Sequence, residues 1–339
     1  MTTVHPLDPP PLGKLLRRAW MIDKPLTLVG LTMVVVLLVA AVGLVVDREV
    51  ISGAPAWLKP AKFAISIAIY SFTFLWLLTF ITGHRRLVRI AALVTAAAFT
   101  IEMVVIGGAA AVGTTSHFNV STPIQAVGWY TMTFAILCLY VANLVGGVLL
   151  LRQHIADRAL AWSLRLGMLG SAVGMGVAFF MTSPTAEQLS AARAGAGMPI
   201  IGAHSVGVPD GGPGLPVVGW STVAGDLRVG HFIGLHALQA VPLFGLLLGR
   251  FGPKWLLPTD RVRLVWTAGL AYVGIVALTT WQALRGQPLV KPDALTLGVL
   301  GAIVLTAIAV AATVLVRART RQVTTTATTG EPDRHEALA

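Results

Sequence analysis

Several ionisable side chains sit inside apolar stretches of this sequence, and their helical spacing says which of them could meet. The densest set is Gly225-Asp226-Leu227-Arg228-Val229-Gly230-His231-Phe232-Ile233-Gly234-Leu235-His236-Ala237-Leu238-Gln239. Advancing ~100° per residue from Arg228, the side chains of His231, His236 and Gln239 share with it one arc of roughly 140°. The opposite side presents Gly230, Gly234 and Ala237, a small-residue ridge suited to close helix contact. His231 and His236 diverge by ~140°, whereas a helical metal-binding pair is normally spaced i, i+4, so no shared metal ion is expected from them.

A second stripe, Lys59, Lys62, Ser66, Tyr70 and Thr73, falls within roughly 80° on one helix face. Pro60 stands at the start of that helix, where proline is tolerated. Lys59 is expected to snorkel to the membrane interface, and Lys62, about a turn deeper, is placed to point inward. Glu102 is the most informative single residue. It lies ~15 Å from the end of its apolar run at 1.5 Å per residue. An isolated carboxylate at that depth costs at least ~2.5 kcal/mol, so such residues pair or take part in function. His236 falls at comparable depth, which predicts a Glu102–His236 contact with Lys62, Arg228 or Arg285 nearby. The alternative is a purely structural buried pair.

Further candidates lie at the same rim: His117 and Asn119 in Ser116-His117-Phe118-Asn119, Gln125, and Trp281, Gln282 and Arg285. Trp57, Trp129, Trp220 and Trp281 fit an aromatic belt. His204, in a Gly-rich stretch, is expected to be solvated, and Asn143 to hydrogen-bond between helices. There is no Gly-rich phosphate loop, no His-Glu-x-x-His zinc motif and no Gly-x-Ser-x-Gly elbow. An ATP-driven pump or a zinc protease is thereby disfavoured.

The elements that must position these residues follow from composition. The chain is 55% hydrophobic and 12% charged, with a mean hydropathy of +0.79. Soluble domains carry roughly 25% charged residues, so lipid must be the solvent for much of this one. Runs near 26–46, 63–82, 90–112, 124–150, 159–181, 229–249, 264–284 and 295–316 are long enough to cross ~30 Å of hydrocarbon. They lack the alternation of barrel strands. The predicted fold is therefore all-α, a polytopic transmembrane bundle of about eight helices. The stretch before the first run is Pro-rich and does not read as a cleavable signal. Cys138 is the only cysteine, which excludes an internal disulfide or a Cys-based metal site.

The net charge of +11 reads as a topology and lipid-surface signal; no nucleic-acid partner is expected. Eighteen of the 25 Lys and Arg residues fall on one side of the predicted bundle. By the positive-inside rule that side is cytoplasmic, which places both termini inside a cell membrane. Residues 1–25 are then a cytoplasmic N-terminal segment, 26–316 the membrane domain, and 317–339 a disordered cytoplasmic tail. Residues 182–228 form a long extracytoplasmic loop, read either as a lid or as a loose connector, with a short helix starting at Ser183-Pro184 and running through Arg193. Four helices followed by four more would preserve orientation, as a 4 + 4 parallel duplication requires. Lys62-Phe63 then aligns loosely with His231-Phe232, and Gly113 with Gly286.

The strings Trp57-Leu58-Lys59-Pro60-Ala61-Lys62-Phe63, Ser116-His117-Phe118-Asn119 and Gly225 through Gln239 resemble those of a group of uncharacterised bacterial multi-pass membrane proteins, over roughly residues 55–290. The high Arg-to-Lys ratio agrees with a bacterial source. The resemblance implies a membrane fold and no particular activity. The eight-helix plan is also similar to that of haem A synthases, which place histidines on paired helices of both halves; here intramembrane histidine falls on the sixth span alone. The leading expectation is an outward-facing polar site for a small-molecule ligand or a proton-coupled transport step, built from Lys62, Glu102, His117, Asn119, Arg228, His231, His236, Gln239, Gln282 and Arg285. The alternatives are a haem- or quinone-linked redox protein and an extracytoplasmic sensor or assembly factor.

Overall fold

In hydrocarbon every backbone amide must bond within its own segment, and among the described residues eight helices are long and apolar enough to cross a bilayer. The computed structural model describes residues 11–329, with side chains to residue 324. A short helix, α1 (Leu12–Ile22), precedes the spans. The first four spans are α2 (Lys24–Val46), α3 (Leu58–Leu78), α4 (Arg85–Ala111) and α5 (Pro123–Leu151). A two-residue hairpin, β1 (Val50–Ile51) with β2 (Ala54–Pro55), joins α2 to α3. The fifth span is α6 (Arg158–Thr182), followed by the short α7 (Ala186–Arg193). The loop then passes through β3 (Ser205–Val206) and β4 (Gly225–Asp226), which pair antiparallel with Ser205 opposite Asp226. The last three spans are α8 (Leu227–Phe251), α9 (Pro258–Leu284) and α10 (Ala294–Thr329). This is an all-α multi-pass membrane bundle.

Leu38, Val42, Val45, Phe134, Leu305 and Ile308 are exposed on its flanks, as apolar side chains facing lipid must be. Each half packs in the same order. In the first, α2 lies against α3 and α4, α3 against α4, and α4 against α5; in the second, α6 lies against α8 and α9, α8 against α9, and α9 against α10. The third span of each half ends on a glycine with positive φ, Gly113 at 68° and Gly286 at 70°.

Between apolar helices in lipid there is little hydrophobic drive, so close association relies on small residues that let backbones approach. The ridge predicted on the sixth span does this. A methyl group on Gly234 would lie 2.3 Å from the Gly174 Cα on α6, and one on Gly230 would lie 2.2 Å from the Thr280 hydroxyl on α9. Ala237 presses its own methyl against Gly170. These contacts wedge α8 between α6 and α9 and fix the direction of its polar face.

Two expectations about boundaries differ from the structure. The last helix does not stop at 316 but continues to Thr329, so residues 317–329 are helical where a disordered tail was expected; residues 330–339 lie outside the described part. The extension is held because Val314 and Ala318 pack on Leu256 and Leu264, while Arg321 bonds the buried carboxylate of Asp260. The short helix in the long loop is capped by Thr185, not Ser183. Thr185 and Gln188 form a reciprocal capping box, whereas the Ser183 hydroxyl donates back to the Phe179 carbonyl.

The glycine wedge yields a direct prediction. Gly234→Ala overpacks the α6–α8 seam and lowers stability by ~1–3 kcal/mol, read as a lower thermal unfolding midpoint in detergent. Gly107→Ala, where nothing lies within 4 Å of the added methyl, leaves the midpoint unchanged or raised.

Candidate functional site

Glu102, on α4, faces the interior of the bundle and is 4% exposed. The chain leaving α4 reverses at Gly113 and brings His117 back over it, with the imidazole Nε2 3.4 Å from Glu102 Oε1. On its other side the His117 Nδ1 lies 3.0 Å from the Lys59 ammonium and 3.0 Å from the Ser116 hydroxyl. An ammonium has only protons to give, so Nδ1 accepts and Nε2 carries the hydrogen directed at Glu102. Lys59, His117 and Glu102 thus form a line from cation through imidazole to carboxylate. The second carboxylate oxygen of Glu102 is buried and has no hydrogen-bond partner.

The segment around His117 is rigidly held. Phe118 has φ 64°, a conformation that is a genuine outlier for a bulky residue. Its carbonyl accepts from Ile201 N at 2.8 Å, and its ring packs against Trp129 and His204 at centroid distances of 5.0 and 4.8 Å. Asn119 ties the same turn together through Thr115 and Ser121.

The long loop closes over this line. Gln188 exchanges two hydrogen bonds with the backbone of Gly202. His204 stands over the His117 ring at 6.3 Å and bonds Asp210 at 2.7 Å. Asp210 also accepts from the backbone amides of His204 and Ser205. Burial pushes the His204 imidazole down to about 4, against the pull of Asp210. Burial opposes ionisation of Asp210, but the bonds from His204 and the two amides outweigh it and hold the carboxyl below its usual range. Burial and the Lys59 charge likewise depress the His117 imidazole, with Glu102 acting the other way.

At the start of α8, Asp226 caps the helix through Arg228 N and grips the Arg228 guanidinium at 2.9 and 2.6 Å. Arg228 reaches on to the Gly219 carbonyl, and Lys62 to the Val218 carbonyl at 3.1 Å. His231 bonds the Gly174 carbonyl at 2.8 Å.

The structure therefore brings Lys62, Glu102, His117, Arg228 and His231 to one end of the bundle beneath the loop. It does not form the predicted Glu102–His236 contact. The glycine wedge turns that side of α8 toward α3, where His236 bonds Gln239 and Gln239 bonds Thr73. Gln282 and Arg285 are also apart, at the end of α9: Gln282 donates to the Pro288 carbonyl, and Arg285 pairs with Asp293 and lies over Trp281. Asp226, Val229, Thr279, Gln282, Ala283, Gln287 and Leu289 line a shallow surface crevice there, with no enclosed room for a water molecule.

Three members of the cluster depart from the sequence reading. Lys59 turns inward to His117 instead of snorkelling, and His204 is held by Asp210 instead of being solvated. Trp129 is buried against His117 and Phe118 instead of sitting in a belt. The overlooked signal was the turn chemistry. Glycines after α4 and between His204 and Asp210 fold each histidine back onto an acidic partner.

Among the described residues no three His, Cys, Asp or Glu side chains are grouped to hold a metal ion. His117, His204, His231 and His236 each commit Nδ1 to a protein partner. The chain matches no known family model, no curated protein and no solved structure.

The depressed imidazoles make loop closure pH-dependent. A histidine whose folded value lies below about 6.5 adds stability above that pH and loses it as pH falls toward the folded value, about 4 for His204. Hydrogen-exchange protection of residues 200–215 is expected to decline between pH 6.5 and 4. His204→Gln should flatten that decline.

Proposed function

We propose that this chain is a proton-coupled membrane carrier, with its solute and proton site beneath the 183–226 loop on the outward face. The observation that supports this reading is the buried line Lys59–His117–Glu102, drawn from α3, the α4–α5 connection and α4, with one carboxylate oxygen left unpartnered. Intramembrane carboxylates and histidines in contact are the usual parts of proton relays. Here the imidazole can take a proton at Nδ1 from Lys59 and release one from Nε2 to Glu102, so charge crosses the ring without the ring moving. A group that served only to hold helices together would gain from satisfying both oxygens, since a buried unpaired acceptor costs ~1–3 kcal/mol. The outward placement rests on the asymmetry of basic residues, which accumulate at the opposite end of the bundle.

The test is proton movement in proteoliposomes loaded with a pH-sensitive dye and challenged with a panel of small carboxylic acids, amines and sugars. One class should drive dye-reported proton flux in the wild type. Glu102→Gln should reduce that flux by roughly a hundredfold, the scale of losing a proton-transfer group, while the protein stays monodisperse and helical. Wild-type flux in Glu102→Gln would refute the relay.

A further inference from the structure

Two cations at the loop end hold backbone carbonyls where a charged partner would be stronger. Lys62 donates to Val218 O and forms no ion pair among the described residues. Arg228, although paired with Asp226, spends its remaining reach on Gly219 O. The two carbonyls are consecutive, and the turn that presents them is strained. Val217 has φ 65°, and the Val218 amide bonds the Pro216 carbonyl at 2.7 Å. A three-residue turn with positive φ at its centre is rare and unfavourable, and a β-branched residue there is an outlier. Such conformations persist only where the surroundings over-determine them, and they gather at ligand clamps and switches. The Val217 side chain is exposed, so its own packing does not hold the turn. The hold comes from Lys62 and Arg228 below, and from the Leu215–Trp220 and Gly219–Leu215 backbone bonds around it.

We propose that the 215–219 turn is a latch opened by an anion: the Val218 and Gly219 carbonyls occupy, on Lys62 and Arg228, the place of a carboxylate or phosphate group. This rests on the carrier reading and names its solute as an anion. A bond from a cation to an ionised acceptor adds the attraction of two opposite charges to the hydrogen bond itself, so an arriving anion displaces the carbonyls. The freed turn relaxes from its strained conformation, and the loop lifts at the point where it covers the cluster. No bond is made or broken in this step; one acceptor replaces another.

The experiment is hydrogen exchange of the amides in residues 215–222, with full-length protein in phosphatidylcholine nanodiscs at constant ionic strength held with chloride. The probes are acetate and inorganic phosphate, and a parallel sample uses nanodiscs containing phosphatidylglycerol with no added probe. Saturable acceleration by either soluble probe supports the latch with a free solute. Acceleration in phosphatidylglycerol alone supports it with a lipid headgroup as the anion. Lys62→Gln should exchange faster without any probe and need about tenfold more anion, the scale of one charge-assisted hydrogen bond; Lys62→Arg should keep the wild-type response. Val217→Gly, which relieves the strain and leaves both cations in place, should slow exchange of the anion-free protein. No response to any of the three anions overturns the proposal, as does a response unchanged in Lys62→Gln. Glu102→Gln separates this from the carrier reading, because the anion response should survive in that variant whatever happens to proton flux.

Discussion

A carboxylate that has left water must be given partners, and most of the loop end of this protein is arranged around that constraint at Glu102. Desolvation of an isolated carboxylate costs at least ~2.5 kcal/mol within a membrane. Only one oxygen of Glu102 is met by protein, through His117. That single contact requires the chain to double back after α4, which Gly113 permits by its positive φ. It also requires the following segment to stay in place, which the Phe118 ring and its carbonyl secure against Trp129, His204 and Ile201. Lys59 completes the line from the far side. Backbone strain at Phe118 is the local cost of holding an imidazole over a buried acid.

The apolar part of the bundle decides which polar side chains can join that line. In lipid, α6, α8 and α9 associate through backbone approach at Gly170, Gly174, Gly230 and Gly234. The close approach of Gly234 to Gly174 sets which face of α8 meets α6. His231 is then directed at the α6 backbone, while Gln239, which His236 bonds, is directed at Thr73 of α3. Packing of residues with no chemistry of their own has selected one of two histidines for the cluster. Each of α3 and α8 is the second span of a set of four with the same packing order, and both enter the bundle beneath the loop carrying the cations that grip it.

Periodicity and length were enough to recover the eight spans and the small-residue ridge of α8, because both are set within a helix by 3.6-residue geometry and by the thickness of hydrocarbon. The pairing of Glu102 was not legible in the same way. Depth along a helix gave its level in the bundle but not the direction of its neighbours, and His236 at matching depth proved to be rotated away. The partners of Lys59 and His204 were not legible either, because His117 and Asp210 each reach them from a turn outside the helices, where composition says only that the chain bends. The α10 extension was missed for a related reason. A Thr-rich sequence with no apolar face reads as unstructured, yet Ala318 and Arg321 find partners on α9 and its approach segment.

The charges under the loop also constrain what the site could carry. With Lys59, Lys62 and Arg228 as cations and Glu102, Asp210 and Asp226 as anions, and the depressed histidines His117 and His204 neutral, the closed cluster is balanced. In a medium of low dielectric an unbalanced unit charge is costly, so a proton and an anion each make the other's entry more favourable. A proton placed on the free oxygen of Glu102 leaves one positive charge uncompensated, and an anion held by Lys62 cancels it. In the carrier proposed above, the latch and the relay would complement one another: a proton on Glu102 favours an anion on Lys62, and the anion, by displacing the Val218 and Gly219 carbonyls, would loosen the loop. A cation or a neutral solute would leave the protonated cluster unbalanced.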